Sequence, residues 1–304
     1  MTTEGWFADL DPGDVTAAAD RIRDDEWGAD EPADWPAAAV EAGFAADEDD
    51  YYDALHEATV ETTRTAVAER ERADDQQLVH AIRTMDDLAE TTNELAERVA
   101  EWGGSLFPAD EEGPEGGVPY ARDLAERDPE EPAEERVVDL ARRVVDLADE
   151  RDAVREFVEK QAPAVAPNLS MLAGPVLAAR LMEQAGGLES LAKMPSGTVQ
   201  VLGAEDALFA HLRGHAPSPK HGVIFTHEYV RNTHPDERGS AARALAGKLS
   251  IAARVDHYSG DRRPELEEEL DERMRRIRSR YEGGGGGGEA GEASDADAEG
   301  GADE

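Results

Sequence analysis

Most side chains that could hold an anion lie in one part of the chain. Residues 161–260 carry nine lysines and arginines against eight aspartates and glutamates, whereas residues 1–160 have a net charge of −32. Lysine and arginine donate charge-assisted hydrogen bonds to phosphate, and glycine lets a backbone approach a ligand closely. A compact apolar domain would also lack an acidic excess, but we interpret this stretch as a surface that faces an anion. Its candidates are Lys220, His221, Arg231, Arg238, Arg243, Lys248 and Arg254.

The same stretch lacks the patterns of common catalytic and metal centres. His211 and His215 are spaced to share one helix face, but Leu212 stands where a zinc-protease motif requires glutamate, and Gly214 would end the helix. The chain has no cysteine. It also has neither a nucleophile elbow of the hydrolase type nor a glycine-rich phosphate loop. We predict no catalytic residue, no bound metal and no cofactor.

The whole chain is strongly acidic, with 70 acidic and 31 basic side chains and a formal net charge of −39. This charge opposes attraction of the molecule as a whole to nucleic acid or anionic lipid. The acidic excess and the scarcity of lysine are similar to the composition of proteins from salt-loving archaea, so we attribute most exposed carboxylates to that habitat. No apolar run reaches the roughly 20 residues that cross a bilayer. We expect a cytoplasmic protein without membrane contact.

Both ends of the chain predict small or unstructured segments. Residues 1–60 predict a short acidic module with helices at Val15–Arg23 and Pro36–Ala42. Residues 261–304 predict a charged helix, Pro264–Tyr281, then a glycine run and an acidic tail. Because that tail has no apolar residue larger than alanine, we expect it to be disordered.

Residues 61–160 predict an antiparallel coiled-coil hairpin. Neither glycine nor proline interrupts a helix between Tyr52 and Trp102, whereas residues 103–132 form a Gly/Pro-rich loop. Apolar residues recur at alternating steps of 4 and 3 from Leu78 to Val99 and, with one charged break, from Leu140 to Val158. An ordinary helical core gives the same stripes, but no third helix of matching length is near, so we predict a partner chain. The predicted dimerisation contacts are Leu78, Ile82, Met85, Ala89, Leu140, Val144 and Leu147.

Residues 161–260 predict a compact, mainly α domain. Ser170 would cap a helix that ends at Gly186 and Gly187. Helices are also predicted at Glu205–Leu212 and at Pro235–Tyr258, the second begun by a proline in its first turn. Val199–Leu202 predicts a short extended run, and Gly222–Phe225 predicts a buried turn or strand.

Several motif blocks in this domain resemble the Nop domain, which belongs to the core proteins of box C/D ribonucleoproteins and to a related splicing factor. The family's first long helix and its exit are resembled by Asp87–Leu88, Asn93, Glu101–Trp102 and Phe107–Pro108. Together these matches extend over residues 74–260. The blocks are Ala166–Ser170, Gly174–Pro175, Ala179–Leu181, Gly187–Leu188, Leu191–Pro195, Val199–Glu205, Ala207–Phe209, Pro219–Gly222 and Lys248–Asp256.

The resemblance implies a non-catalytic scaffold for guided 2′-O-methylation of RNA ribose. The N-terminal module would hold fibrillarin, the methyltransferase that uses S-adenosylmethionine, and the coiled coil would pair two copies. The Nop domain would grip the kink-turn of a box C/D guide RNA jointly with a ribosomal-type, kink-turn-binding protein. The residues predicted to bind RNA or that protein are Gly203, Ala204, Glu205, Leu208, Phe209, Lys220, His221, Arg231, Arg238, Arg243, Lys248 and Arg254.

The chain departs from the family pattern in two places. Asp206 and Ala210 stand where the family commonly has lysine and arginine, which weakens the expectation of RNA contacts from that helix. The N-terminal module is also shorter than usual, so no residue is assigned to the fibrillarin contact. A dimeric coiled-coil adaptor that binds only proteins is the alternative function.

Overall fold

The computed structural model describes residues 5–24, 33–107 and 116–284, and every regular element in these ranges is a helix. This confirms the expectation of a mainly α protein. The acidic tail expected to be disordered lies outside the described residues, as do Trp27 and Pro32. The helices are α1 (Val15–Arg23), α2 (Trp35–Glu41), α3 (Glu48–Arg72), α4 (Asp74–Leu106), α5 (Gly117–Ala125), α6 (Pro132–Val165), α7 (Pro167–Ala173), α8 (Pro175–Ala185), α9 (Leu188–Lys193), α10 (Ser196–Val201), α11 (Glu205–Leu212), α12 (Glu228–Arg231), α13 (Arg238–Tyr258) and α14 (Glu265–Gly284), with a 3₁₀ turn at Val223–Thr226.

The chain divides into two compact units, Met1–Gln77 and Leu78–Glu304. The division falls later in the chain than the residue 60 expected from the sequence, and the second unit contains both the hairpin and the compact domain. Within the described ranges, no helix has the length and apolar character needed to cross a membrane.

An aromatic cluster forms the core of the first unit. Trp6, Phe7, Phe44 and Tyr51 are buried against one another, with ring centroids 5.2–6.1 Å apart. The Trp6 indole donates a hydrogen bond of 3.1 Å to the Tyr51 hydroxyl. Large aromatic side chains bury much apolar area in a short segment, which lets α1 and α2 fold with α3. The predicted helix at Val15–Arg23 is confirmed, and α2 begins one residue before the predicted start.

A break at Ala73 contradicts the uninterrupted helix predicted from Tyr52 to Trp102. Ala73 has extended backbone angles, φ −61° and ψ 143°, between the end of α3 and the start of α4. Arg70 donates two hydrogen bonds, of 2.7 and 3.0 Å, to the Asp75 carboxylate across the break. An aspartate side chain can hydrogen-bond to nearby groups in place of the helical backbone, so it favours a helix start. In a sequence, aspartate indicates a helix break less strongly than glycine or proline, which is why the break was not predicted.

Helices α4 and α6 form the predicted antiparallel hairpin. Leu78 and Ile82 pack with Val158 and Ala162 in one buried cluster, and a second cluster joins the far end of α4 to the start of α6. The predicted loop at residues 103–132 contains α5, which was missed. Ala121 and Leu124 of α5 are buried in the second cluster, so this helix covers one end of the hairpin with residues of the same chain.

The buried seam of α6 is displaced by one residue from part of the predicted seam. Ala141 and Ala148 are fully buried, whereas the predicted contacts Leu140 and Leu147 are half-buried. Small side chains let two helices approach closely, so the alanines occupy the interface and the leucines flank it. The structure thus shows a single-chain cover for Leu78, Ile82 and Val144, which the sequence assigned to a partner chain.

Three predicted elements of the compact domain are corrected. Ser170 lies inside α7 instead of capping a helix, and Gly174, with φ +77°, separates α7 from α8. Val199 belongs to helix α10 and is buried, so the predicted extended run is wrong. Residues 235–237 form a turn, and α13 therefore begins at Arg238 rather than at Pro235. The predicted helix Glu205–Leu212 is confirmed as α11.

Helix α13 runs through the centre of this domain and packs against α7, α9, α10, α12 and α14. Close packing on several sides requires small residues, and α13 has buried alanines on most of its surface. The buried residues are Ala241, Ala242, Leu245, Ala246, Leu249, Ser250, Ala252, Ala253 and Asp256.

A buried polar network ties the start of α7 to the end of α13. The Asp256 carboxylate accepts hydrogen bonds from the backbone amides of Asn168 (3.0 Å) and Leu169 (2.8 Å) and from the Asn168 side-chain amide (2.6 Å). Asn168 in turn donates to the Asp261 carbonyl (2.8 Å) and accepts from the Arg263 amide (2.6 Å). A carboxylate at a helix N-terminus satisfies orphan amides and complements the helix dipole. The network therefore holds α7, α13 and the approach to α14 together.

Candidate functional site

The end of α10 and the chain from Lys220 to Val223 are held side by side by the backbone. The Gly222 amide donates to the Gln200 carbonyl (2.9 Å) and the Val223 amide donates to the Leu202 carbonyl (2.8 Å). A Cβ atom at Gly222 would lie 2.0 Å from the Leu202 carbonyl oxygen, so only glycine permits this approach. The pairing brings the predicted residues Gly203–Glu205 and Lys220–His221 to one edge of the domain. We call residues 203–212 and 220–225 the α10–α11 edge.

Helix α11 presents apolar side chains to solvent on this edge. Phe209 is 55% exposed, Leu212 is 70% exposed, and none of the helix's residues is buried. Leu208 is half-buried, and the Glu205 carboxylate accepts a hydrogen bond of 2.8 Å from the Gly203 amide. Exposed large apolar residues next to one another are typical of a protein interface. The α11 surface therefore suits a protein partner better than a phosphate.

His221 and Lys220 give the same edge an aromatic and a cationic group. The His221 ring stacks on Phe225 with centroids 4.5 Å apart and planes at 18°. Burial, and then the positive charges of Arg238 and Lys220, lower the pKa of His221. The imidazole is therefore neutral at pH 7, and its flat face can stack on a base. Lys220 is exposed, with its stem lying 3.9 Å from a Cβ built on Gly239.

Two of the predicted arginines are occupied by backbone carbonyls of their own chain. The Arg254 guanidinium donates to the carbonyls of Ala192 (3.0 Å) and Met194 (3.2 Å), at the end of α9. Arg238 donates to the Thr233 carbonyl (3.1 Å) and lies 5.4 Å over the Phe225 ring. Both guanidiniums hold structure, and the prediction that they bind phosphate receives no support from this geometry.

The remaining predicted cations lie elsewhere on the domain. Arg231 is exposed and lines a cavity together with His227 and Tyr229. Arg243 and Lys248 line a groove between α13 and α14. The predicted residues are thus divided between the α10–α11 edge, this groove, the cavity beside Arg231 and structural positions. Arg273 and Arg276, on the α14 side of the groove, were not predicted from the sequence. The available signal was the charge distribution of α14, which is acidic in its first half and rich in arginine in its second half.

His227 is a second neutral imidazole. Its Nδ1 accepts a hydrogen bond of 3.1 Å from the Tyr229 amide at the start of α12, and its Nε2 is 3.0 Å from the Leu172 carbonyl. These two contacts require a proton on Nε2 and none on Nδ1. Burial lowers the pKa of His227, whereas burial and a hydrogen bond to Asp271 raise the pKa of Tyr229 to about 12. His227 and Tyr229 are thus held in place by packing and hydrogen bonds.

The described residues contain no cluster of three or more side chains able to hold a metal ion. Neither of the two histidines weighed as a zinc pair belongs to a group of that kind. His211 Nδ1 contacts the Ala216 carbonyl at 2.9 Å, and His215 lies beyond the end of α11.

The two long helices of the hairpin carry exposed apolar side chains near its opposite ends. Trp102 of α4 is 38% exposed and Phe157 of α6 is 42% exposed. Met85, Ala89, Leu140 and Leu147, all predicted dimerisation contacts, are half-buried. Apolar area therefore remains on the hairpin after its own seam is closed.

Comparisons with known proteins agree on one family. The model of the family described as "Nop: snoRNA binding domain, fibrillarin" matches residues 121–278. An uncharacterized NOP5 family protein of Methanocaldococcus jannaschii is 33% identical, with 79% of this chain and 66% of that protein covered. Nucleolar protein 58 of Debaryomyces hansenii is 34% identical, with 62% of this chain and 43% of that protein covered. The chain thus spans less than two thirds of these relatives.

A crystal structure of a fibrillarin/Nop5p complex contains the same fold. A chain in it superposes with a TM-score of 0.50 at 24% identity, covering 86% of this chain and 92% of that one. The match extends the structural agreement beyond the residues covered by the family model.

Proposed function

Because the chain belongs to the Nop family, we propose that it is the scaffold protein of a box C/D guide ribonucleoprotein. In this role it binds a guide RNA at its kink-turn together with a ribosomal-type protein and positions fibrillarin for ribose 2′-O-methylation. The observation that carries the proposal is the family match over residues 121–278, which includes α6, the α10–α11 edge and α13. The chain itself performs no chemical step, and its contribution is to bind and orient.

The α10–α11 edge supports a composite contact with RNA and protein. Lys220 offers an exposed ammonium to phosphate, and the neutral His221 ring offers a stacking face. Phe209 and Leu212 offer apolar area to the ribosomal-type protein, and the neighbouring Asp206 and Ala210 provide no cation for RNA. In this chain α11 therefore contacts the protein, while the Lys220–His221 segment contacts the RNA.

High salt makes this division physically reasonable. At about 1 M salt the Debye length is about 3 Å, so long-range repulsion and attraction are both screened. Counterion release is weak under the same conditions. Binding then depends on direct contacts and on a surface that the partner protein completes.

A gel-shift assay with a box C/D RNA and the ribosomal-type protein tests the proposal. We expect the full chain to bind the RNA–protein complex tightly and the bare RNA weakly in molar salt. Phe209→Glu should weaken the ternary complex at least tenfold, whereas Tyr258→Glu, at a residue that is 66% exposed on α13, should leave it within twofold. Failure of the wild-type chain to join the RNA–protein complex would favour the protein-only adaptor.

We also propose that two copies associate through the hairpin, by way of exposed apolar residues near its two ends. Trp102 and Phe157 are exposed, and burying them in a second copy removes apolar area from water. The double variant Trp102→Glu/Phe157→Glu should be monomeric by sedimentation velocity. Tyr52→Glu, at an exposed residue of α3, is the control. A dimer that persists in the double variant would place self-association elsewhere.

We propose that this chain also binds a fibrillarin-type methyltransferase. This proposal rests on the family to which the chain belongs, and no individual residue is assigned to the contact. In the related crystal structure, Nop5p is in complex with fibrillarin. Co-elution of this chain with a fibrillarin-type methyltransferase on a sizing column tests whether it has the same partner, and separate elution would remove that partner from the proposal.

A further inference from the structure

A groove of about 480 Å³ lies between α13 and α14 on the outside of the compact domain. The two helices pack on each other and are joined by residues 259–264, so they run in opposite directions. Lys248 contacts Glu269 across the groove. Arg243 and Arg276 lie further from the connection, at the end of the groove towards which α14 continues. The chain that follows α14 therefore leaves the helix on this side of the groove.

The groove holds more positive charge than its own carboxylates neutralise. Four cationic side chains line it, and each of its two carboxylates, Glu269 and Glu272, already has one of these cations as its partner. The other two cations are Arg243 and Arg273, which are exposed and for which the described residues show no hydrogen bond or ion pair. In a chain with a net charge of −39, such a cleft is an exception. It suits a negatively charged occupant.

The same chain has an acidic segment shortly after α14. Residues 289–304, the acidic tail, contain seven aspartates and glutamates and no lysine or arginine. The first five acidic residues of the tail follow one another at steps of 3, 3, 2 and 2, and only alanine, glycine and serine stand between them. Carboxylates at these steps can meet separate cations, while the small residues between them can pass the glutamates of the groove.

The length of the connection allows the tail to reach the groove. From Arg276, α14 continues for eight residues to Gly284, a rise of about 12 Å. The five residue steps from Gly284 to Glu289 can span at most about 16–18 Å, so the chain can return along α14 to the end of the groove. A segment on a short tether also has an effective concentration on the order of millimolar. It therefore does not need the long-range attraction that about 1 M salt screens.

The floor of the groove suits a chain of small residues. Gly247 is in the middle of α13, and nothing lies within 4 Å of a Cβ atom built there. Glycine is a poor helix former, and packing among the described residues does not require it at this position. A backbone that lies against the helix does require it. Ala244, one turn earlier, also leaves room, and Ile251 is 41% exposed and offers apolar contact to alanine.

We propose that the acidic tail, residues 289–304, binds in this groove of its own chain. Its carboxylates accept charge-assisted hydrogen bonds from Arg243 and Arg273, and its alanines and glycines lie over Ala244 and Gly247. The contact needs neither RNA nor another protein, so it does not depend on the proposed function. While the tail is bound, it closes the groove to other anions.

An RNA strand is the other occupant that the positive charge would allow. Its phosphates follow one another without neutral spacing, so some of them would lie against the carboxylates of Glu269 and Glu272 on the α14 wall. The spaced carboxylates of the tail avoid this repulsion. The arrangement of charge in the groove therefore favours the tail.

Zero-length carbodiimide cross-linking of the full chain tests the contact, because it joins a carboxylate to a lysine that touches it. Of the four lysines in the chain, only Lys248 lines the groove. The side chain of Lys248 is 21% exposed, whereas Lys160, Lys193 and Lys220 are exposed residues and serve as controls. We expect the tail to be joined to Lys248 at least fivefold more often than to any control lysine. Cross-links that follow the exposure of the lysines would overturn the proposal.

An equal mixture of ¹⁵N-labelled and unlabelled chain shows whose tail is bound. Cross-linked peptides in which both parts carry the same isotope support binding within one chain. Peptides of mixed isotope, at the frequency expected for random pairing, would place the tail on a second copy and overturn the proposal.

A spin label on the tail measures the contact without a lysine. The chain has no cysteine, so Ala293→Cys carries the label at one position. At about 1 M salt the spectrum should contain a slow component from the bound tail. Arg243→Glu/Arg273→Glu should reduce that component at least fivefold. Arg262→Glu/Arg275→Glu, the same charge change at exposed arginines outside the groove, is the matched control and should change it less than twofold.

A further variant blocks the groove without changing its charge. Gly247→Leu replaces glycine with a better helix former and fills the floor, so the thermal midpoint should stay level or rise. The slow component should fall at least threefold. A slow component as large in Gly247→Leu as in the wild-type chain would overturn the proposal. A wild-type spectrum identical to that of a labelled peptide of residues 285–304 would also overturn it, and would leave the groove to an external anion such as RNA.

Discussion

Replacing Asp256 with alanine should destabilise the second unit strongly, because one carboxylate serves three buried donors. The Asp256 side chain accepts from the Asn168 and Leu169 amides and from the Asn168 side chain, at 2.6–3.0 Å. Losing the two amide contacts at the start of α7 costs about 1–2 kcal/mol, as for a lost helix cap. The buried Asn168 amide, left with one partner fewer, costs about 1–3 kcal/mol more. The expected total is about 2–5 kcal/mol.

Thermal unfolding followed by circular dichroism at high salt measures this loss. In a unit of this size, each kcal/mol shifts the midpoint by about 2–4 °C, so the expected shift is about 4–20 °C downward. Asp261→Ala is the matched control, because Asp261 contributes its carbonyl and amide to the same region while its side chain is exposed. A midpoint for Asp256→Ala within 2 °C of the control would refute the view that this carboxylate organises the domain.

Three further predictions concern stability. Gly222→Ala should cost about 3 kcal/mol or more, because its Cβ would collide with a backbone carbonyl, whereas Gly197→Ala, with open space around it, should leave the thermal midpoint level or higher. Burial lowers the pKa of His227, so below about pH 6.5 the unfolded state binds more protons than the folded state, and the wild-type thermal midpoint should drop as the pH is lowered. The midpoint of His227→Gln should drop less between pH 7.5 and 5.5. Parallel midpoint curves for the two proteins would contradict this. The Arg180 guanidinium donates two hydrogen bonds of 2.6 Å to the Asp86 carboxylate, which is half-exposed. A double-mutant cycle should therefore give this ion pair a coupling free energy of about 0.2–1 kcal/mol. A larger coupling would contradict the view that water screens the pair.

Local signals in the sequence predicted many of the helices. Helix α1 has the predicted bounds, and in the structure Asp14 caps it by accepting a hydrogen bond of 3.0 Å from the Ala17 amide. The apolar residues spaced at alternating steps of 4 and 3 along α4, with the Gly/Pro-rich segment after them, predicted the hairpin. The seam of α6 was partly displaced because Leu140 and Leu147 are more hydrophobic than Ala141 and Ala148, whereas packing selected the smaller residues.

Long-range contacts account for what the sequence could not predict. Arg254 was predicted to bind phosphate, but its carbonyl partners at Ala192 and Met194 lie about 60 residues earlier in the chain. Asn168 and Asp256 belong to motif blocks of the family, yet nothing in their separation of 88 residues indicates that they bond to each other. The α13–α14 groove was missed for the same reason, since Arg243 and Arg273 meet only when the two helices pack.

Reconstituted RNA methylation tests the central claim most directly. The reaction would contain a box C/D guide RNA, a complementary target, the ribosomal-type protein, a fibrillarin-type methyltransferase and S-adenosylmethionine, with and without this chain. We predict 2′-O-methylation at a single guided ribose when the chain is present and none above background when it is omitted. Methylation of the same ribose to the same extent without the chain would contradict its role as the scaffold.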